Sequence, residues 1–475
     1  RLDPIGLTWA RGESDTAGAP SCTNLERLRA DRTSKQGFRA GPVSKSPALR
    51  RSVHDRGEWN KLRAMSMLTI GSWGGWLAVV LTALLFRGRP YALFLGVILG
   101  IYTLVAVAVL PLLPLPIELV SYLHACAYLQ WLLLAWPRMR PIWYRLLLSL
   151  PGLYFSASVL LAFPWAICAA LGFRPWGIEV PFALGAIGLF QSLTTRPEIR
   201  QLSVGNQASV EGIVRVPLGA IQTVNVEHPG APRPLRLVQL TDTHLGPFMS
   251  VARLERICQR AVDAAPDLIV LTGDFLTMES QTDARWLVQA LSPLRAYPGR
   301  VFACLGNHDH EAPAVVRQAL DSAGARLLVD DSTLIETPAG NVQLVGFDFA
   351  FRNRAEHMQR VCATHPRVPG ALRLALLHDP GAFRHLPAGE ADLVLSGHTH
   401  GGQLGLVSFR LPWTVVSWIA KMPDHGLWGR GSDRLYVHRG TGHYGFPLRL
   451  GVPAEESVLL VDYSGWALPL SHNAL

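Results

Sequence analysis

The sequence predicts a multi-span α-helical membrane region followed by an α/β (α+β) layered domain. Three observations carry this reading. Long apolar runs with almost no charge fill residues 67–193. From about Leu202 the texture changes to apolar segments of five or six residues alternating with amphipathic stretches. The net charge of +9 is also uneven: residues 1–63 carry +6, residues 64–200 carry +5 and residues 201–475 carry −2. A basic excess confined to the tail and the apolar region points to a membrane and argues against a nucleic-acid partner.

Residues 1–64 are rich in Ser, Arg, Gly and Asp and lack apolar periodicity, so a disordered basic tail is expected. Met65 and Met67 stand directly before the first apolar run. The natural chain is expected to begin there, with a native tail touching anionic lipid as the alternative.

Residues 65–200 are expected to hold about five membrane helices, over residues 67–86, 91–112, 117–136, 146–171 and 178–193. Most approach the ~20 residues that a bilayer requires; the fifth is short, with partial burial in the interface as its alternative. Pro151 and Pro164 are expected to kink the fourth. Trp73, Trp76, Trp131, Trp136, Trp143, Trp165 and Trp176 mostly fall near run ends, as an aromatic belt does. Arg87 and Arg89 lie in the first loop, Arg138, Arg140 and Arg145 in the third, and Arg196 and Arg200 after the fifth run. The second loop has no Lys or Arg, and the fourth only Arg174. With five spans the arginine-rich loops and the C-terminal domain share one side, which the positive-inside rule makes cytoplasmic. Four spans would put the domain outside. A bacterial inner membrane is the expected location, and the bilayer the expected partner.

The six cysteines form no C-x-x-C pair. That disfavours a disulfide framework or a zinc knuckle and leaves buried free thiols as the expectation.

In residues 201–475 the strand candidates are 235–240, 268–271, 301–305, 342–347, 372–377, 393–395, 435–437 and 457–461. The helix candidates are 251–264, 284–294, 312–323 and 354–364. Polar clusters follow these strands: "LTDTHLG", "LTGDF", "CLGNHDH", "LLHDP" and "LSGHTHGG". Clusters at the C-terminal ends of strands converge on one rim of a layered fold, where such folds build sites. The candidate ligands Asp242, His244, Asp274, Asn307, His378, His398 and His400 are all oxygen or imidazole donors. The set suits two divalent cations among Mn, Fe, Zn and Co, and a carboxylate is a fitting bridge between them. Gly273, Gly306 and Gly397 allow tight turns that present the next side chain.

The ordered set D-x-H, GD, GNHD, H and GH-x-H resembles the calcineurin-like metallophosphoesterase superfamily, over roughly residues 235–462. An apolar N-terminal region before such a domain resembles its transmembrane branch, and "YVHRGTGHYGFPLRLGVPAEESVLLV" is similar to that branch's closing segment. The resemblance implies a two-sheet β-sandwich flanked by helices, with two metals at one edge. It implies that Asp242, His244, Asp274 and His400 bind the first metal. Asp274 would bridge, and Asn307, His378 and His398 would complete the second site. His308 would sit over the scissile phosphate and stabilise or protonate the leaving oxygen, with Asp309 orienting it. Thr241 and Thr243 depart from the Ser and Leu common at those places in the branch, without consequence for the metals.

Other residues admit two readings. His310 is a surface neighbour or an extra ligand. Arg439 and Arg449 pair with substrate phosphate or with structural carboxylates, and His443 between them reaches the site or does not. Glu118 and His124 are ionisable groups in or near a span. Residues 404–422, apolar and aromatic with Arg410 and Lys421, form a lid or lipid-facing loop, or merely pack on the domain. The expected function is a membrane-anchored phosphoesterase that cleaves its substrate by attack of a metal-bound hydroxide. A phosphodiester is the expected ester, with a lipid-linked substrate first. The alternatives are a soluble nucleotide-like substrate and a non-catalytic membrane scaffold.

Overall fold

The computed structural model describes residues 47–205, 209–217 and 233–463, with 47–64 as backbone only. The tail read as disordered therefore lies outside the described residues up to residue 46. Its remainder, 47–64, is helical and continues into the first span.

Before the first strand come α1 (Pro47–Phe86), α2 (Arg89–Val109), α3 (Ile117–Leu133), α4 (Ile142–Leu161), α5 (Phe163–Ala170) and α6 (Val180–Ser192). Among the described residues, three segments are long and apolar enough to cross a membrane: Met65–Phe86, Arg89–Leu112 and Ile142–Leu161. The third expected span is a helix of 17 residues. At 1.5 Å per residue it reaches about 25 Å, short of a ~30 Å hydrocarbon core. The fourth starts early, at Ile142, and stops at Leu161, because Ala162 leaves the helical region (ψ 8°) and Pro164 opens α5. The fifth has 13 residues. Pro151 does not break α4. Arg145–Ser149 widen into a π turn, and the carbonyl of Leu147, four residues before the proline, accepts the Tyr122 hydroxyl of α3.

His124 has both ring nitrogens engaged, by Ser72 Oγ and the Tyr102 hydroxyl at 2.7 Å each, so it ties α3 to α1 and α2. Glu118 is exposed in the first turn of α3, where a carboxylate suits the helix dipole. Cys126, Cys258, Cys304 and Cys362 are buried free thiols, but Cys168 on α5 is exposed, and Cys22 lies outside the described residues.

The strands are β1 (Thr195–Val204), β2 (Val210–Arg215), β3 (Leu235–Leu240), β4 (Leu268–Thr272), β5 (Val301–Cys304), β6 (Arg326–Leu327) and β7 (Asp331–Thr337). After them come β8 (Gly340–Gly346), β9 (Leu372–Leu376), β10 (Leu393–Ser396), β11 (Gly426–Gly431), β12 (Asp433–Val437) and β13 (Ala454–Tyr463). They form two sheets, ordered β1-β13-β3-β4-β5-β6 and β2-β11-β12-β10-β9-β8-β7. The β3-β4-β5-β6 block is parallel, and so is β8-β9-β10-β12. Leu237, Val270 and Phe302 of the first sheet meet Leu344, Leu374 and Tyr436 of the second in one apolar layer. The outer face of the first sheet is covered by α7 (Val251–Asp263), α8 (Ala284–Ala290) and α9 (Pro313–Ala323), through Leu254, Leu287 and Leu320. The second sheet is covered by α10 (Arg354–Thr364), through Met358 and Val361. This is the helix-flanked two-sheet sandwich that the resemblance implied.

The unforeseen strands are β1, β2, β6, β7 and β11. Most are edge strands whose outer faces carry polar residues, so the apolar alternation is weak. The helical bundle is fastened to the sandwich at α6 and α4. Ser192 Oγ accepts the Arg449 N–H at 2.8 Å, and Gln191 Oε1 accepts the Gly451 N–H at 2.7 Å. Arg145 donates to Gly246 O and lies 3.6 Å from Glu279.

Candidate metal centre

The parallel strands of both sheets end at one rim, and their loops turn sharply there. Asp242 and His244 follow β3, Asp274 follows β4, Asn307 follows β5, His378 follows β9, and His398 and His400 follow β10. Five of these side chains sit on left-handed backbone: Asp242 (φ 51°), His244 (43°), Asp274 (57°), His398 (69°) and His400 (52°). That region is uncommon for residues other than glycine, and such strain clusters at functional sites. Gly273 itself takes φ +88°. Gly306 and Gly397 have a different reason from the expected turn. A Cβ on Gly306 would collide with Asp274 Oδ1, and one on Gly397 with Asp242 Oδ2.

The ligand atoms fall into two compact groups, Asp242/His244/His400 and Asp274/His378/His398, each within 4.8 Å. The groups adjoin at Asp274, whose Oδ2 lies 3.8 Å from His244 Nε2 and 3.1 Å from His378 Nε2. His244 Nε2 stands 3.1 Å from His400 Nε2, and His400 Nε2 is 3.4 Å from Asp242 Oδ1. Thr241 donates to Asp242 Oδ2 at 2.9 Å, and the His398 N–H points between both its oxygens at 3.0 Å.

Burial holds the His244 imidazole down at about 3 and His398 at about 4, and holds His400 well below its usual range. These rings are neutral donors at physiological pH. Burial lifts the Asp242 carboxyl to about 6, with the nearby His378 charge opposing it. Burial works to raise Asp274 too, but His378, His244 and His308 overcome it and hold this carboxyl well below the carboxylate range. His378 moves up as the partner of that pair, the Asp274 charge outweighing burial.

The residues present fit a pair of cations. Leu276 O lies 3.2 Å from His244 Nδ1, and Thr272 O lies 2.6 Å from His378 Nδ1. With the ring protons donated to those carbonyls, each Nε2 lone pair faces the cluster, the orientation that metal-binding histidines adopt. Asn307 Oδ1 is buried with no hydrogen-bond partner among the described residues, and His378 Nε2 faces the Asp274 carboxylate at 3.1 Å. A buried, unpaired acceptor such as Asn307 Oδ1 calls for a partner.

His308 and Asp309 part company. The His308 Nδ1 is engaged by Glu311 Oε1 at 2.8 Å, and its ring lies edge-on to Tyr444 at 4.7 Å. Burial would lower this imidazole, but Glu311 and Asp274 outweigh it and raise it. Asp309 does not orient His308. Its carboxylate accepts the backbone N–H groups of Asp274 (2.8 Å), Phe275 (2.9 Å) and Gly306 (2.8 Å), pinning the β4 and β5 loops together. Burial, with the neighbouring Asp274 charge, pushes it up to about 7. Glu311 was legible as the i+3 neighbour of His308. Tyr444, stacked on His244 at 4.8 Å, had no sequence signal.

The two-way readings resolve as follows. His310 pairs with Asp348 at 3.0 Å. Arg439 pairs with Glu198 and Glu455, and Arg449 donates to the carbonyls of Arg439 and Gly442 at 2.7 Å each and approaches His400 Nδ1 at 3.1 Å. Both arginines are therefore structural, and Arg449 holds His400 in place. Of the candidate ligands, His244, Asp274, His398 and His400 line a cleft of about 680 Å³ that takes in Phe86, Arg87, Tyr91 and Phe94 from the α1–α2 turn. His443 is absent from its lining, and residues 404–422 do not cover it; Gln403, just before them, does line it. A larger cleft of about 830 Å³, lined by Arg196, Arg215, Arg410 and Glu455 among others, holds none of the candidate ligands.

Residues 235–402 match the family model for calcineurin-like phosphoesterase. The chain is 31% identical over 230 residues to Phosphodiesterase YaeI of Escherichia coli, covering 48% of this chain and 82% of that protein. It is 30% identical over 239 residues to the Danio rerio transmembrane protein with metallophosphoesterase domain, covering 46% of this chain and 52% of that protein. The Bos taurus protein of the same name matches at 27% over 299 residues, covering 59% of this chain and 65% of that protein. The chain thus spans less than two thirds of these two transmembrane relatives. With the ligand order and the sandwich in place, the chain belongs to the calcineurin-like phosphoesterases, and it is similar to their transmembrane members.

Proposed function

We propose that this protein is a membrane-anchored phosphodiesterase with a dinuclear metal site, acting on a phosphoester held at the bilayer surface. The observation that carries the reading is the pair of buried ligand groups adjoining at Asp274. Likeness to a protein named as a phosphodiesterase favours a diester. Two divalent cations bound there would supply Lewis acidity toward a phosphoryl oxygen and toward water. Asp242, His244 and His400 would hold one, and Asn307, His378 and His398 the other, with Asp274 shared. The remaining chemistry is the chain's own. Glu311 holds His308 Nδ1, which leaves Nε2 to carry a proton to the leaving-group oxygen as its P–O bond breaks. The Tyr444 ring roofs His244 and His308 and limits water.

The working division is a membrane region to about residue 200 and a catalytic domain from 201. Three segments of spanning length and the transmembrane relatives support anchoring. Arg87 lines the catalytic cleft and Arg145 meets Glu279, so the first and third loops abut the domain. That favours an odd number of crossings, five if the 17-residue α3 and the 13-residue α6 cross a locally thinned bilayer, and the positive-inside rule then favours the cytoplasmic side.

The test is metal content and turnover of the full-length protein in detergent, reconstituted with Mn, Zn or Fe. About two metals per chain, and faster turnover of an aryl phosphodiester than of the monoester, are expected. One metal or none in folded protein would sink the reading.

Bilayer contact has its own test. Phe409, Trp413, Trp418 and Ile419 are all strongly exposed, Trp418 at 75%. Apolar aromatic side chains of this kind favour the membrane interface. Replacing Trp413 and Trp418 with Ser is expected to slow turnover of a vesicle-embedded phosphodiester about tenfold and leave a small soluble aryl diester unaffected. Equal losses would mean that the segment only packs.

A further inference from the structure

The α1–α2 turn does more than connect two spans. Phe86, Arg87, Tyr91 and Phe94 share one cleft with His244, Asp274 and His308. Behind Tyr91 and Tyr444 lies a second cavity of about 110 Å³. The two cavities have Tyr91, Phe94, Met278, Tyr444 and Gly445 in common, so they adjoin. The rest of the chamber is walled by Trp131, Leu134 and Leu153 of the bundle and by Pro247, Phe248 and Phe446 of the catalytic domain. Phe94 in its wall is 54% exposed among the described residues.

Four polar side chains interrupt these apolar walls, Gln130, Thr277, Glu279 and His443. Gln130 and His443 are 3% and 2% exposed. Gln130 Oε1 and at least one His443 ring nitrogen have no hydrogen-bond partner among the described residues, because the neutral ring has a single N–H to turn toward the neighbouring Phe446 and Pro447 carbonyls. Such atoms are costly to leave unpaired. On the cleft side, the Arg87 guanidinium lies 5.9 Å from the Tyr91 ring centroid and forms no ion pair among the described residues.

We propose that the α1–α2 hairpin is the substrate-recognition element of the active site, selecting a glycerolipid-type phosphoester. The chamber receives the carbons next to the phosphate, with their ester or hydroxyl oxygens on His443 and Gln130, and Arg87 pairs with a non-bridging phosphate oxygen. The inference rests on the phosphoesterase reading and names its substrate class. Size supports it. An apolar cavity of ~150 Å³ holds one benzene ring, so this smaller chamber takes a few carbons and excludes a purine. The rest of the chain leaves past Phe94 into the bilayer. A pure hydrocarbon chain would leave His443 and Gln130 unpaired, whereas oxygenated carbons satisfy them.

The test uses full-length, metal-loaded protein in detergent with 4-nitrophenyl alkyl phosphodiesters, methyl to octyl, which share one leaving group. KM is expected to fall by up to about fourfold per carbon, the worth of a buried methylene at about 0.8 kcal/mol, and to level off after a few carbons. Leu134→Trp fills the chamber and should flatten that dependence. Arg87→Ala should raise KM about tenfold across the series at similar kcat, and Arg87→Lys should restore most of it. A binding measurement guards against a misfolded variant. On the unaltered protein, calorimetry should find dihexanoyl phosphatidate at least about tenfold tighter than hexyl phosphate. KM independent of chain length, or equal binding of the two phosphates, overturns the proposal while turnover of the methyl ester keeps the phosphoesterase reading standing. No turnover of any ester with any metal overturns both.

Discussion

Asp274→Ala is expected to lower kcat/KM at least about 10³-fold and to strip both metals from a chain that stays folded. Its Oδ2 faces His244 of one ligand group and His378 of the other, so one carboxylate serves both. Its Oδ1 also accepts the His308 N–H at 2.9 Å, which sets the loop carrying Asn307 and His308. Removing the shared anion would leave two close dications under-compensated. Metal ions contribute several kcal/mol to such reactions, and each 1.36 kcal/mol is tenfold. Asp274→Asn separates the two jobs: it keeps an oxygen for the His308 N–H but loses the charge, and should lose metal nearly as completely. Elemental analysis of variants with native-like circular dichroism decides. Two metals retained in Asp274→Ala would rule out the shared-ligand role.

His308→Ala is expected to retain both metals yet slow turnover by ~10²–10⁴, the range for a positioned general acid. The loss should shrink as the leaving group improves, because a stable leaving anion needs no proton. Glu311→Gln should give a smaller loss of the same kind, since Glu311 holds Nδ1 and favours the charged ring. Asp309→Asn should behave differently. Its carboxylate serves three buried backbone N–H groups, so its replacement should lower stability more than it alters leaving-group dependence. Equal defects of His308→Ala on good and poor leaving groups would dismiss the acid role.

The sequence by itself determined the architecture and the ligand inventory. Strands β4, β5, β9 and β10 are buried along their whole lengths and β3 at all but Arg236, so they read as mainly apolar runs, and the polar cluster after each could be ordered along the chain. The apolar runs likewise marked α1 and α2. Tertiary structure decided the rest. Edge strands such as β1 and β7 keep one face in water, and their polar residues erase the signal. The length of the fourth span depended on a local competition, with Tyr122 of α3 taking the Leu147 carbonyl beside Pro151. The division of labour between Asp309 and Glu311 depended on side-chain direction, which spacing does not specify: the adjacent carboxylate turns inward to the backbone, and the one three residues on reaches the imidazole. The share that Arg87, Tyr91 and Tyr444 take in the cleft joins residues more than 350 positions apart. Only the packing of the helical bundle against the sandwich brings them together, and no local pattern in either segment encodes that contact.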